Sequence, residues 1–169
     1  MNREELRARQ APLKERYRED GASALLTLRA DGELGAEGVS CSVATGKAVV
    51  EAGLHPFSGG DGSLACSGDM LLQALVACAG VTLRAVAVNL GLEVGGRVVA
   101  EGDLDFRGTM GVDREAPVGF RAIRLSFELD TAAAAEDVAT LVKLTERYCV
   151  VYQTLAGGVP VDVTHTVRG

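Results

Sequence analysis

The chain has 169 residues and a mass of 17.6 kDa, a size typical of one domain with a proper core. Its net charge of −6 and pI near 5.0 argue against a general nucleic-acid or anionic-membrane binder, because such proteins take much of their affinity from clustered Lys and Arg. The absence of Trp and the aromatic content of 4% also argue against a base-stacking surface. We therefore expect no nucleic-acid partner.

In chain order, the first predicted elements are a polar helix and a small antiparallel sheet. Residues 2–19 predict a helix with a sparse apolar face and a possible break at Pro12, so residues 1–22 form an N-terminal helical extension to a domain of residues 23–169. Residues 23–29 alternate like a strand, and residues 38–44 and 47–52 predict a hairpin. The Gly- and Ser-rich loop that follows is typical of a lid or of the wall of a site.

The next element is a long helix in an almost uncharged run, Met70–Leu90. Ser67 precedes it as the expected N-cap, and Gly91 suits the C-terminal end. The run is about long enough to span a bilayer, but Gln73 and Arg84 interrupt it, and an Arg near the centre of a bilayer costs several kcal/mol. The pattern therefore predicts a buried helix of a soluble domain and no membrane.

The second half of the chain predicts two strands, two helices and a closing strand. Residues 97–107 and 120–129 alternate in polarity, the second range clearly, and residues 132–147 and 150–155 have helical spacing. Residues 159–167 alternate again and predict a last strand. This order favours an α+β fold with mostly antiparallel pairing over a doubly wound sheet.

Four cysteines carry the chemistry that the sequence offers: Cys41, Cys66, Cys78 and Cys149. They are too few to staple a small domain, and none forms a CxxC pair. The first twenty residues are charged throughout and do not resemble a secretion signal, so we expect a reducing cytoplasmic location. Thiols there are more often catalytic, metal-binding or buried than structurally bridged.

Two of these thiols are the candidate reactive groups. Cys78 lies halfway along the apolar run, where a thiol is either inert packing or a protected redox centre. Cys149 lies at the junction of two predicted helices, where backbone N–H groups could stabilise a thiolate. A metal site that uses these cysteines and His55 is the alternative, but no pair has the spacing of structural zinc. We therefore expect no metal and no cofactor.

Two segments of the sequence resemble the motifs of the OsmC/Ohr superfamily. The run DMLLQALVACAGVTLRAVAVNLGLE is similar to the central-helix signature of that family, and ERYCVVYQTL is similar to its second cysteine motif. The segment EGDLDFRGTMG lies between the two motifs, as it does in the family. The resemblance covers about residues 23–166.

The resemblance implies an intertwined homodimer in which long central helices are wrapped by curved antiparallel sheets. It also implies thiol-dependent reduction of organic or inorganic hydroperoxides, as in a peroxiredoxin-like enzyme, with Cys78 similar to the peroxidatic thiol and Cys149 to the resolving thiol. The partners are then a hydroperoxide substrate, a dithiol reductant and a second copy of the chain. Glu146, three residues before Cys149, is a candidate for orienting the site.

The chain departs from the hydroperoxide-resistance branch at the activating residues. That branch uses an Arg from the early strands and a Glu at the start of the central helix, whereas this chain has Glu33 and Glu37 in the early stretch and Gly68 at the helix start. Val150 replaces the Pro that commonly follows the second cysteine. The sequence thus resembles the broader OsmC-like branch, and a non-enzymatic module that binds a small apolar ligand at the dimer interface remains the alternative.

Overall fold

The computed structural model describes residues 2–27, 32–34, 40–44 and 49–167. The helices in this part of the chain are α1 (Arg3–Glu19), α2 (Ser67–Leu90), α3 (Phe106–Thr109), α4 (Ala135–Tyr148) and α5 (Val150–Gly157). The strands are β1 (Gly32–Leu34), β2 (Ser40–Ala44), β3 (Val49–Gly53), β4 (Ala65–Cys66), β5 (Gly95–Leu104) and β6 (Phe120–Asp130). The prediction of an α+β fold is confirmed.

The strands form a small sheet and a separate long ribbon. The small sheet has the order β1-β2-β3-β4, with antiparallel pairing except for the parallel contact between β3 and β4. Its β2–β3 pair is the predicted hairpin, whose tip lies outside the described residues. The ribbon pairs β5 with β6 in antiparallel register from Gly95 opposite Asp130 to Leu104 opposite Phe120. Strand β5 of this ribbon packs against α2.

Helix α2 buries a single stripe of its surface. Its buried residues recur every fourth position, at Leu75, Ala79, Leu83 and Ala87, because residues four apart lie on one face of an α-helix. This stripe faces α4, α5 and β5. The opposite face is apolar as well, yet Val81 is 73% exposed. One chain therefore covers only part of a helix that, by length and composition alone, could also cross a membrane.

The core lies where α2, α4 and the ribbon meet. Leu83, Ala87, Val94 and Leu141 are buried against one another, with Phe127 packed at the edge of the cluster. This core fixes α4 against α2, and the chain then turns directly from α4 into α5.

The helix ends differ in detail from the predictions. Helix α1 is continuous through Pro12, although the proline removes one backbone donor. Cys66, not Ser67, is the N-cap of α2, and its side chain makes no capping bond. The predicted C-terminal end of α2 is confirmed, because Gly91 has a φ of 75°, a left-handed conformation that suits glycine.

Three predicted strands were wrong in part or in whole. Residues 21–24 form a 3₁₀ turn in place of the start of a strand, because the Asp20 side chain accepts a hydrogen bond from the N–H of Ala22; the end of that predicted strand lies outside the described residues. Strand β5 stops at Leu104, because Asp105 accepts from the N–H of Arg107 and begins α3. Residues 159–167 form no strand and lie exposed beyond α5.

Candidate active site

The corner between α4 and α5 fixes the position of Cys149. Cys149 is extended, with φ −75° and ψ 108°, and it separates the last residue of α4 from the first residue of α5. Its N–H donates to the carbonyl of Thr145 at 2.9 Å, and its carbonyl accepts from the N–H of Gln153 at 2.9 Å. The side chain is 0% exposed. The second candidate thiol is therefore held rigidly inside the fold.

Cys78 faces this corner from the middle of α2. Its side chain is half-buried, and α5 packs against α2 at this point. The backbone N–H groups of Val150 and Val151, in the first turn of α5, lie close enough to the Cys78 sulfur to lower the pKa of its thiol. The Thr82 hydroxyl, one turn further along α2, and the Cys149 thiol lower the same pKa. The two candidate thiols are therefore neighbours, and neither is in a disulfide.

The surroundings shift the pKa values of the two thiols in opposite directions. Burial alone would raise the pKa of Cys78, but the donors from Val151, Cys149, Val150 and Thr82 together lower it below its ordinary value. Burial raises the pKa of Cys149, and the neighbouring Cys78 raises it further. Such a pair can hold a thiolate at Cys78 beside a protonated thiol at Cys149. A nucleophilic thiolate with a second thiol nearby is the arrangement that two-cysteine redox chemistry needs.

The donors that lower the pKa of Cys78 are neutral groups. Two of them are backbone amides at the N-terminus of a helix, where the unpaired N–H groups favour a negative charge. The proline that commonly follows the second cysteine of the family motif would have no N–H at this position, whereas Val150 has one, and it lowers the pKa of Cys78. The departure from the motif at Val150 therefore adds a donor to the site.

Glu146 lies near the thiols but does not contact them through its carboxylate in the part of the chain that the structure describes. Its exposed side chain lines a cleft of about 520 Å³ between the ribbon and α5. Arg121 lines the same cleft, and the other lining residues are mostly apolar: Leu75, Phe120, Ala122, Ile123, Leu125, Phe127, Tyr152, Leu155 and Ala156. The orienting role of Glu146 stays a prediction.

The other candidate ligands lie away from the thiol pair. Cys66 is the N-cap of α2, about 18 Å from Cys78 along the helix axis at 1.5 Å per residue. It lines a separate cleft of about 290 Å³ together with His55, whose ring stacks on Phe106 at 5.1 Å. For Cys41 the structure describes only the backbone, in β2. Within the described ranges, no three His, Cys, Asp or Glu residues form a group that could hold a metal ion.

Four residues near the thiol pair were not among the predicted site residues: Thr82, Val150, Val151 and Gln153. Thr82 could have been found, because it follows Cys78 by four residues on a predicted helix and so shares its face. The amides of Val150 and Val151 could not be assigned to Cys78, because that contact depends on how α5 packs on α2. Gln153 bridges α4 and α5 through a side-chain hydrogen bond that no sequence pattern indicates.

Comparison with protein families supplies one match over most of the domain. The family model for the OsmC-like protein matches residues 60–164, which include both Cys78 and Cys149. No curated protein matches the chain.

Several solved structures share the fold at low sequence identity. An OsmC-like protein from Mycoplasma pneumoniae superimposes with a TM-score of 0.66 and 16% identity, covering 79% of this chain and 89% of that one. An organic hydroperoxide resistance protein OsmC from Legionella pneumophila gives 0.56 and 17%, covering 79% and 91%. The organic hydroperoxide resistance protein OhrB of Bacillus subtilis gives 0.54 and 16%, covering 79% and 93%. These similarities establish the fold.

Proposed function

Because the chain belongs to the OsmC-like family, we propose that it reduces hydroperoxides with Cys78 as the peroxidatic thiol and Cys149 as the resolving thiol. The observation that carries this proposal is that the two thiols are close enough to affect each other's pKa, with that of Cys78 lowered and that of Cys149 raised. Relatives of the same fold are named as organic hydroperoxide resistance proteins, which supports a peroxide-related redox role.

The reaction balances with two cysteines and one external dithiol. The Cys78 thiolate attacks the O–O bond of the hydroperoxide, so an S–O bond forms, the O–O bond breaks, and an alcohol leaves after taking a proton. The Cys149 sulfur then attacks the resulting sulfenic acid, forming the disulfide and releasing water. A dithiol reductant supplies the two electrons and returns both thiols by exchange. Cys149 is suited to resolve because it neighbours Cys78 closely enough for the two thiols to affect each other's pKa.

The surroundings of the pair favour an organic hydroperoxide over hydrogen peroxide. Leu75, one turn before Cys78, and Tyr152, three residues after Cys149, both line the cleft of about 520 Å³. Neither thiol lines the cleft itself, but an apolar substituent there would lie within one helical turn of each cysteine, and burial of its apolar surface would contribute about 25 cal/mol per Å². Small polar peroxides gain nothing from such a wall.

We also propose that the protein is a homodimer. Helix α2 leaves Val81 73% exposed, and the C-terminal segment leaves Val161 and Val163 79% and 89% exposed. Exposed apolar surface on this scale is typical of an interface. Because the C-terminal segment alternates in polarity but pairs with no described strand, we assign it to the sheet of a second copy.

Light scattering after gel filtration tests the dimer directly. The parent protein is expected at twice the mass of one chain. The variant carrying Val161→Asp and Val163→Asp is expected to dissociate into monomers at a higher protein concentration than the parent. A parent that stays monomeric at micromolar concentration would refute the dimer.

The expected location is the cytoplasm, where dithiol reductants are present.

A non-enzymatic module that binds a small apolar ligand is the competing function, and the mostly apolar cleft between the ribbon and α5 is the observation that favours it. Peroxide consumption distinguishes the two. The purified protein with excess dithiothreitol is expected to consume cumene hydroperoxide catalytically and faster than hydrogen peroxide. Consumption no faster than that of dithiothreitol alone would refute the enzyme and leave the binding module.

A further inference from the structure

The end of α4 leaves backbone carbonyls that the helix itself does not satisfy. The last N–H to bond within the pattern of α4 is that of Cys149, which donates to Thr145. Had α4 continued, the carbonyl of Glu146 would accept from the N–H of Val150, four residues on. The chain turns at Cys149 instead, and Val150 begins α5 with its N–H near the Cys78 sulfur, whose pKa it lowers. The carbonyl of Glu146 therefore needs another donor.

Gln153 supplies that donor from the following helix. Its side-chain Nε2 donates to the carbonyl of Glu146 at 2.8 Å. Its backbone N–H donates to the carbonyl of Cys149 at 2.9 Å and makes the first helical hydrogen bond of α5. One residue thus bonds both to the end of α4 and to the corner, and together these bonds restrict how α5 can rotate against α4.

The orientation of α5 matters because it decides whether the amides of Val150 and Val151 lie near the Cys78 sulfur. Helix α4 is fixed in the core through Leu141 and Thr145, which are 0% and 1% exposed. Helix α5 has no buried residue of its own among those described, so its packing alone holds it weakly. The hydrogen bond from the Gln153 side chain to the carbonyl of Glu146 therefore holds α5 in place relative to α4.

We propose that Gln153 is a positioning residue for the thiol pair: its side chain ties α5 to α4 so that the amides of Val150 and Val151 point at the Cys78 sulfur. The inference rests on the proposed function for its catalytic meaning. Gln153 touches neither the substrate nor the reacting sulfur, and it acts through the two amides. Its removal is therefore expected to change the ionisation of Cys78 more than the stability of the fold.

The test compares Gln153→Met and Gln153→Ala with the parent and with Gln10→Met, a matched change on α1. Methionine keeps nearly the length of glutamine and its helix propensity but has no N–H donor. Alkylation of Cys78 by iodoacetamide is followed across pH by peptide mass spectrometry. Because one neutral hydrogen bond is lost, the midpoint of this profile is expected to rise by up to about one pH unit in both Gln153 variants. Gln10→Met is expected to match the parent.

An unchanged alkylation midpoint in Gln153→Met and Gln153→Ala would overturn the inference, as would an equal shift in Gln10→Met. Gln153 is exposed, so both variants are expected to fold. If the methionine variant does not fold, the alanine variant alone provides the test. This measurement needs no peroxide. A parent that fails to consume peroxide would refute the proposed function, whereas the alkylation profiles would still test Gln153 alone.

Discussion

Cys78 and Cys149 are neighbouring thiols whose surroundings shift their pKa values in opposite directions. Burial, and after it the neighbouring Cys78, raise the pKa of Cys149, whereas the Val151 amide and the Cys149 thiol are among the neighbours that lower the pKa of Cys78. A donor is most useful to a thiolate while it keeps its own proton, so the raised pKa of Cys149 and the lowered pKa of Cys78 reinforce each other. The pair is asymmetric because burial and the neighbouring Cys78 outweigh the Tyr152 and Val151 amides that lower the pKa of Cys149, whereas the neighbours of Cys78 lower its pKa overall in spite of burial. This asymmetry is the physical basis for assigning the first oxidation to Cys78.

Serine at each cysteine is expected to give a different failure. Cys78→Ser removes the nucleophile, so turnover of cumene hydroperoxide should fall to the background rate. Cys149→Ser leaves the nucleophile without a resolving thiol, so Cys78 should be oxidised once and then proceed to sulfinic acid under excess peroxide. Peroxide consumption measures the first outcome, and intact-mass spectrometry measures the second. A Cys78→Ser variant as active as the parent would reverse the role assignment.

Folding is expected to shift the alkylation midpoints of the two thiols in opposite directions along the pH scale. Folding lowers the pKa of Cys78, so its thiolate stabilises the folded state at pH values above the unfolded pKa, and this contribution is lost as the pH falls through the lowered value. Alkylation of Cys78 in the native protein should therefore have its midpoint below that of the same cysteine in urea. The Cys149 midpoint should lie above its unfolded value. Midpoints in the reverse order would contradict the site geometry.

Thr82 is expected to contribute directly to the ionisation of Cys78. Thr82→Val keeps the shape of the side chain and removes the hydroxyl, so the Cys78 pKa should rise by a few tenths to about one unit, since one hydrogen bond to the charged form is lost. Thr82→Ser keeps the hydroxyl and serves as the control that restores the parent value. The thiolate absorbance at 240 nm measures the shift. An equal shift in both variants would indicate altered packing in place of a lost hydrogen bond.

The stability of the site depends on the core under α4. Leu141 is 0% exposed and packs with Leu83, Ala87 and Val94. Leu141→Ala is expected to reduce the free energy of unfolding by about 2–5 kcal/mol, because it removes buried methyl groups and leaves a cavity. Urea denaturation measures this loss, with the exposed Leu13→Ala as a control expected to change it by less than about 0.5 kcal/mol. Equal losses in the two variants would contradict the described core.

Much of the fold could be predicted because its periodicities are strong. The alternation of Ile123, Leu125 and Phe127 predicted β6, and the run from Met70 to Leu90 predicted α2, each to within a few residues. Cys78 and Cys149 could be singled out because each lies at a distinctive place in a predicted element. Their contact and their activating amides depend on helix packing, which local sequence does not encode.

The closing strand shows a limit of the same reasoning. Residues 159–167 alternate as a strand should, yet Val163 is 89% exposed and the segment pairs with nothing in the described part of the chain. Alternation reports which faces of a segment differ in polarity, but a strand also needs a neighbouring edge for its backbone groups. The sequence of one chain cannot say whether that edge belongs to the same molecule or to a second copy.

Disulfide mapping after a single oxidation tests the central claim most directly. The reduced protein is treated with one equivalent of cumene hydroperoxide, quenched with iodoacetamide, digested and analysed by mass spectrometry without reduction. The account predicts the loss of two free thiols and a linked peptide pair that contains Cys78 and Cys149, with Cys66 fully alkylated. Retention of all free thiols, or a disulfide that links Cys66 and excludes Cys149, would contradict it.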